Sequence, residues 1–205
     1  MRIRISAALA AVLTCAFLAG CAFQEDVAPV SYKAAGGAQI GNGATVAVTV
    51  EDARTEDRTR ISNKVNGYGM EMAAIRADRP VPDIIKDAME AELRARGFAV
   101  GQGGPATKLS VNRFYAGFKT GFFSGDAVGD VKLHVLVTTA SGQTVYERQI
   151  DATGEVNKIM LANGSNATAA LSDGMTKAFT MLFDDPAFVA ALTKPAVTAS
   201  NAPNS

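Results

Sequence analysis

The sequence has little of the chemistry on which most enzyme sites depend, since its 205 residues include one histidine and no tryptophan. A single imidazole excludes a histidine-rich metal site, which needs several such ligands. His134 falls in an alternating stretch, on the side opposite the valines of 131–137. No serine or cysteine nucleophile motif accompanies it, so we interpret it as a solvated strand residue, with a catalytic base as the alternative. The sequence therefore predicts no enzyme, no metal site and no cofactor.

The N-terminal segment is typical of a bacterial export signal. Two arginines precede an uncharged apolar stretch at 5–17, which is too short to span a bilayer comfortably. The sequence Leu-Ala-Gly-Cys at 18–21 resembles the lipobox, in which the cysteine sulfur receives a diacylglycerol and the signal is cut just before it. We predict a signal peptide over 1–20 and an acylated Cys21 as the membrane anchor. An ordinary signal cut elsewhere, for instance after Ala22, is the alternative.

Processing at this position leaves a chain with neither excess positive charge nor a free thiol. Loss of Arg2 and Arg4 lowers Lys plus Arg from 20 to 18 against 20 Asp plus Glu, a formal charge of −2. No basic field remains to attract nucleic acid, so no nucleic-acid partner is expected. Cys15 leaves with the signal, so the mature domain has no disulfide. The residue after Cys21 is Ala22 and not an aspartate, which at this position would resemble an inner-membrane retention signal. We therefore expect the protein at the periplasmic face of the outer membrane.

The mature chain divides into three predicted segments. Residues 21–43 are expected to form a lipid-anchored flexible tether, because Pro29 and several glycines interrupt any periodicity. Residues 44–192 are expected to form a single domain, a size large enough to bury a core without disulfides or metals. Residues 193–205 contain too few large apolar side chains to pack, and we expect a disordered tail.

Apolar periodicity predicts an α+β fold. Pro82 and Gly97 are typical of the first helical position and of the residue after a helix. The expected architecture is a mostly antiparallel sheet with two main helices packed on one face. The predicted strands cover 46–50, 61–65, 70–75, 98–100, 109–118, 131–137 and 145–152, and the predicted helices cover 81–96, 167–183 and 185–192.

An aromatic hairpin at 114–125 is the most unusual stretch, because several aromatic residues alternate with glycines there. Two interpretations remain open. In one, an exposed apolar tip contacts a partner or a membrane. In the other, the rings fold back over the sheet edge and the glycines serve the turn. Phe118, Phe122 and Phe123 are therefore candidate partner-binding residues.

A charged loop follows the first strand of the predicted domain. Asp52 and Arg54 lie at its start. We interpret them as an ion pair that fixes the end of the strand, with binding of a polar ligand as the alternative. Asn163 and Ser165 lie just before the second main helix, and we expect the side chain of one of them to cap it.

The order of these features resembles the YajG-type lipoproteins, a family without an assigned activity. The resemblance rests on the lipobox, the strand and loop at 46–55, the helix ending at 92–98, and the long hairpin. It covers most of residues 21–192 and implies a role only for Cys21. More remotely, the layout is similar to small envelope lipoproteins that assist transport or assembly machines, including auxiliary lipoproteins of lipid-transport ABC systems.

We therefore expect a lipid-anchored envelope lipoprotein without catalytic activity, whose sheet edge or aromatic hairpin binds another envelope protein. The alternative is an auxiliary lipoprotein that handles lipid or a small ligand for an envelope transport system, which requires an apolar cavity between helices and sheet. An envelope hydrolase is the third hypothesis, although no nucleophile, metal or acid–base motif supports it.

Overall fold

The computed structural model describes residues 24–119, 121 and 124–193. The predicted signal peptide, Cys21 and the predicted tail beyond Thr193 lie outside these residues. None of the described helices is long and apolar enough to cross a membrane. In chain order the elements are β1 Asp26–Ala28, β2 Thr45–Asp52, β3 Ser62–Val65, β4 Glu71–Ala77, α1 Val81–Ala95, β5 Ala99–Val100, β6 Ala106–Lys119, β7 Gly125–Thr138, β8 Thr144–Ile159, α2 Gly164–Phe183 and α3 Pro186–Thr193.

Strand β6 is the centre of a single sheet of eight strands. It pairs antiparallel with β7 along its whole length, and β7 pairs antiparallel with β8. On its other side, β6 pairs parallel with β2 first and then, at Ala116, with β3. β5 extends the sheet beyond β2, while β4 and β1 extend it beyond β3.

The sheet is mixed, so the predicted mostly antiparallel sheet is wrong. Four of the seven strand pairings among the described residues are parallel. Parallel neighbours need a long crossover connection, and α1 lies within the one that joins β2 to β6. Apolar alternation identifies a strand and its buried face but not its direction relative to its neighbours. The α+β class itself is confirmed.

A β-bulge at Asn112 allows β6 to serve both of its parallel partners. Leu109 and Val111 are fully buried before the bulge, and Phe114 and Ala116 are fully buried after it. The register against β7 shifts at this point, as expected when one extra residue enters a strand. The shift keeps apolar side chains on the core face in both halves of the strand.

Helices α1 and α2 pack on one face of the sheet, as predicted, and share one hydrophobic core. α1 has Pro82 in its first turn, and Gly97 follows it with a φ angle of +83°. α2 begins after Asn163, whose side-chain oxygen accepts a 3.0 Å hydrogen bond from the backbone nitrogen of Asn166. The roles of Pro82 and Gly97 at the two ends of α1 are therefore confirmed, while α2 begins three residues earlier than the predicted 167 and is capped by Asn163, one of the two expected residues.

Glycines bring α2 directly onto β7 and β8. A Cβ atom on Gly154 would lie 2.1 Å from the carbonyl oxygen of Ala170, and one on Gly129 would lie 2.6 Å from the same carbonyl. Gly174 of α2 faces these two strands in the same way. There is consequently no room for an acyl chain between α2 and these strands. The lipid-handling alternative requires a cavity at such a place.

The flexible tether predicted over 21–43 is wrong for the described part of that segment. β1 pairs parallel with β4, and Val30 is buried in the core. The ring of Tyr32 lies edge-on to Phe179 of α2, with 5.5 Å between the ring centroids. The folded domain therefore begins at Asp26, only five residues after Cys21 in the sequence.

A buried carboxylate fixes the middle of this N-terminal segment. Glu92 of α1 has no exposed surface. It accepts hydrogen bonds from the Tyr32 hydroxyl and, at 2.7 Å, from the backbone nitrogen of Ala35. Its other oxygen pairs with Arg96, whose guanidinium lies 4.1 Å from the centroid of the Phe183 ring. Burial raises the pKa of Tyr32 to about 12 and lowers the pKa of Arg96.

The end of the same segment is fixed by the C-terminus of α1. The backbone nitrogens of Ile40 and Gly41 both donate to the carbonyl oxygen of Arg96, at 3.0 and 2.9 Å. A Cβ atom on Gly41 would lie 2.5 Å from the backbone nitrogen of Phe98. Glycine is required here for a close contact between backbones, which explains why its presence was a misleading sign of flexibility.

We predict that Gly154→Ala lowers the free energy of unfolding by about 1–3 kcal/mol, because the added methyl group must displace the backbone of α2. Gly117→Ala is the matched control, since a Cβ atom at Gly117 meets open space. Its effect should stay within about 0.5 kcal/mol. Urea denaturation of both variants measures the difference, and equal stabilities would contradict the close helix–sheet contact.

Candidate functional site

Arg54 holds the charged loop after β2 together. Its side chain is buried, and two of its nitrogens each donate to one carboxylate oxygen of Asp52 at 2.8 Å. The remaining N–H groups donate to the carbonyl oxygens of Asp57, Arg58 and Arg60. A guanidinium has five N–H donors, and this loop occupies all of them. The ion pair that fixes the strand end is thus confirmed.

His134 lies on the face of β7 that points away from the helices, as predicted, and is partly exposed. Its Nε2 atom is 2.9 Å from the Glu147 carboxylate on β8. Lys132 and Asp151 form a similar pair across the same two strands. Such cross-strand pairs stabilise a sheet. No cluster of three or more His, Cys, Asp or Glu side chains within the described ranges is arranged to hold a metal ion.

The aromatic hairpin is only partly described, because Phe122 and Phe123 lie outside the described residues. Phe118 is partly buried and packs against a small apolar cluster beside α2. That cluster consists of Ala127, Ile159 and Ala170. Phe118 thus follows the interpretation in which the rings fold back over the sheet, while a role in partner binding stays a prediction.

Three loops converge beyond Phe118 at one end of the sheet. The turn between β3 and β4, the tip of the β6–β7 hairpin and the loop between β8 and α2 all line the same cleft. Two of these loops expose large apolar side chains. We refer to these four residues together as the apolar end: Tyr68, Met70, Met160 and Leu161.

Strand β8 is an edge of the described sheet, since it pairs only with β7. α2 covers part of its outer side. The carbonyl oxygen of Thr153 accepts a 3.0 Å bond from Lys177, and the nitrogen of Glu155 donates at 2.9 Å to Asp173. Outward backbone groups recur every second residue along an edge strand. Across 144–151, which we call the open edge, no described residue supplies partners for them.

Comparison with known families places these features in a context. The sequence model of a family described as uncharacterized lipoproteins matches residues 34–193. No match to the sequence is found among curated proteins.

Solved structures share the fold at low sequence identity. A Xanthomonas campestris protein of the DUF330 family has a TM-score of 0.59 and 14% identity, with 80% of this chain and 95% of that chain covered. An uncharacterized protein has a TM-score of 0.51 and 10% identity, with 78% and 98% covered. A minor lipoprotein from Acinetobacter baumannii is more distant, with a TM-score of 0.39, 11% identity, and 68% and 91% covered. The first two matches show that these proteins have the same fold as this chain, and they show nothing about function.

The Asp52–Arg54 pair predicts a specific dependence of stability on acid pH. Hydrogen bonds from Arg54 lower the pKa of Asp52. The resulting stability is present above the ordinary pKa of an aspartate and is lost as pH falls through the lower folded value. Asp52→Asn should cost about 1–3 kcal/mol at pH 7, and its stability curve should approach that of the wild type at low pH. Denaturation from pH 7 to pH 2 measures this difference, with Glu56→Gln, an exposed carboxylate in the same loop, as the control. A constant offset between the stability curves of the wild type and Asp52→Asn over this pH range would contradict the prediction.

Proposed function

This chain belongs to the family of uncharacterized lipoproteins, and on that premise we propose that it is a lipid-anchored accessory protein of the cell envelope. In this proposal, acylated Cys21 anchors it to the periplasmic face of the outer membrane. The domain has no catalytic activity and binds another envelope protein through the open edge of β8. A closer relationship to the YajG-type lipoproteins is part of the same proposal.

The observation that carries the proposal is the open edge itself. An edge strand presents a row of free N–H and C=O groups, to which an extended segment of another protein can add as a further strand. β8 is 16 residues long, whereas a typical strand has about 5–6 residues. Cover by α2 side chains is found only near its C-terminal part, so a partner strand has access to the other half.

The side chains along the open edge indicate the chemistry of the partner. Glu147, Gln149 and Asp151 are exposed there. Charged side chains on an edge strand prevent unspecific pairing between copies of a protein. Glu147 and Asp151 are paired with His134 and Lys132 of β7, and the exposed Arg148 lies between Glu147 and Gln149, so the edge carries charges of both signs. It therefore favours a partner segment with polar side chains rather than one of a single charge.

A role without catalysis is supported by the way the strongest charged groups are used. All five N–H donors of Arg54 form hydrogen bonds within its own loop and with Asp52. The Glu92 carboxylate is bound by Tyr32 and Ala35 of the N-terminal segment and by Arg96. His134 is paired with Glu147 on an open sheet face. Catalytic sites gather such groups around a substrate in a cleft, and these three lie apart and are engaged in structural contacts.

Site-specific crosslinking in intact cells tests the proposal. A photoreactive amino acid at Asp151, on the open edge, should give one specific protein adduct, and the same probe at Asp83 on α1 should give none. Gln149→Pro should abolish the adduct, because proline removes an outward N–H group and is tolerated on edge strands. Gln149→Thr is the matched control and should keep the adduct. The melting temperature of each variant establishes that the domain is folded.

An adduct that survives in a folded Gln149→Pro variant would contradict the edge assignment. If that surviving adduct is then lost when Phe122 and Phe123 are replaced by serine, the partner is assigned to the aromatic hairpin instead.

A further inference from the structure

The N-terminal chain enters the domain at the apolar end. β4 runs away from the turn that carries Tyr68 and Met70, and β1 is parallel to β4. Residues that precede β1 are therefore directed towards that turn. The carbonyl oxygen of Gln24 confirms this direction, because it accepts a 2.9 Å hydrogen bond from Lys64, just before the turn.

Chain geometry sets a short limit on the distance from the anchor to this end. Three residue steps separate Cys21 from Gln24. An extended chain spans at most about 3.6 Å per residue, so the two residues are at most about 11 Å apart. A bilayer that holds acyl chains on Cys21 must therefore lie close to the end of the domain from which Gln24 emerges.

Exposed apolar surface is concentrated at the same end. The exposed fractions are 91% for Tyr68, 78% for Met160, 67% for Leu161 and 58% for Met70. Four of the six large apolar residues that are exposed in the described ranges thus belong to the two loops of the apolar end. Exposed apolar residues scattered singly need no explanation, whereas a group on adjoining loops indicates a contact surface.

We infer that the apolar end is a membrane-contacting surface, at which Tyr68, Met70, Met160 and Leu161 enter the interface of the bilayer that anchors Cys21. This inference rests on the acylation of Cys21 in the proposed function. Apolar side chains beside a fixed lipid anchor meet the bilayer at high effective concentration, so even a weak contact is occupied.

The residues around the apolar end fit a lipid headgroup region. Tyrosine carries an apolar ring with a polar tip, which suits a membrane interface. Lys119 and Lys158 lie in or beside the three converging loops. Long lysine side chains extend their charged groups to the headgroups while their stems contact apolar surface.

Membrane contact at this end also explains why the open edge is accessible. β8 runs towards the apolar end and reaches it at Ile159, whereas the open edge ends at Asp151. At about 3.3 Å per residue, these two residues are roughly 26 Å apart along the strand. The open edge therefore faces the periplasm, away from the lipid, where a partner protein can reach it.

Fluorescence quenching in vesicles tests this orientation. The mature chain has no cysteine besides Cys21, so a thiol-reactive fluorophore on Leu161→Cys labels one position of the acylated protein. In protein-free vesicles of phosphatidylethanolamine and phosphatidylglycerol with brominated acyl chains, this label should lose about half of its emission or more if the loop enters the interface. The same label on Ser141→Cys, in the β7–β8 turn at the opposite end, should lose almost none.

Paired variants link the quenching to the apolar surface. Tyr68→Ser combined with Met160→Ser should reduce the quenching at position 161, since both side chains are exposed and their loss leaves the core intact. Met181→Ser is the matched control, because Met181 is also exposed, at 41%, but lies near the far end of α2. Equal effects of the two replacements would overturn the inference.

The outcomes separate this inference from the proposed function. The mass of the N-terminal peptide first establishes acylation of Cys21; an unmodified Cys21 would overturn both. An acylated protein with equal quenching at positions 141 and 161 overturns the membrane contact alone, while the crosslink at the open edge stands. Protection of position 161 in native membranes but not in protein-free vesicles would assign the apolar end to a protein partner and also overturn the inference.

Discussion

The hydrogen bonds and ion pair of the buried Glu92 carboxylate are the interactions on which the position of the N-terminal segment on the domain depends. A buried charge is tolerated only when it is paired and hydrogen-bonded, and every partner of Glu92 comes from the N-terminal segment or from Arg96. Because Arg96 also lies over Phe183, the same contact joins both main helices to that segment. Residues 26–41, which the sequence predicts to be part of a flexible tether, are thereby held against the domain.

Strand β6 provides the second constraint, since one long strand joins two parts of the sheet. Its first half carries β2 and β5 under α1, and its second half carries β3, β4 and β1. The bulge at Asn112 keeps both halves facing the same core. As a result, the turn of the β3–β4 hairpin and the tip of the β6–β7 hairpin lie at the same end of the domain, beside the point at which the chain enters.

Much of the fold was predictable where apolar periodicity was strong, as in β2, β7 and α1. The end of β8 was missed because Thr153, Gly154 and Glu155 contain no large apolar residue, although Gly154 is a core position through its contact with α2. Residues 26–43 were missed because glycine used for close contacts looks the same in a sequence as glycine used for flexibility. The open edge and the apolar end depend on strand order and direction, which alternation does not encode.

The central claim is that residues 26–41 are part of the folded domain. Hydrogen exchange of the backbone amides of Ala35, Ile40 and Gly41 in the acylated protein tests it most directly, because each donates a hydrogen bond to Glu92 or Arg96. The account predicts protection of these amides that approaches that of the core strands. Exchange at the rate of an unstructured peptide would show a free tether and would contradict the account.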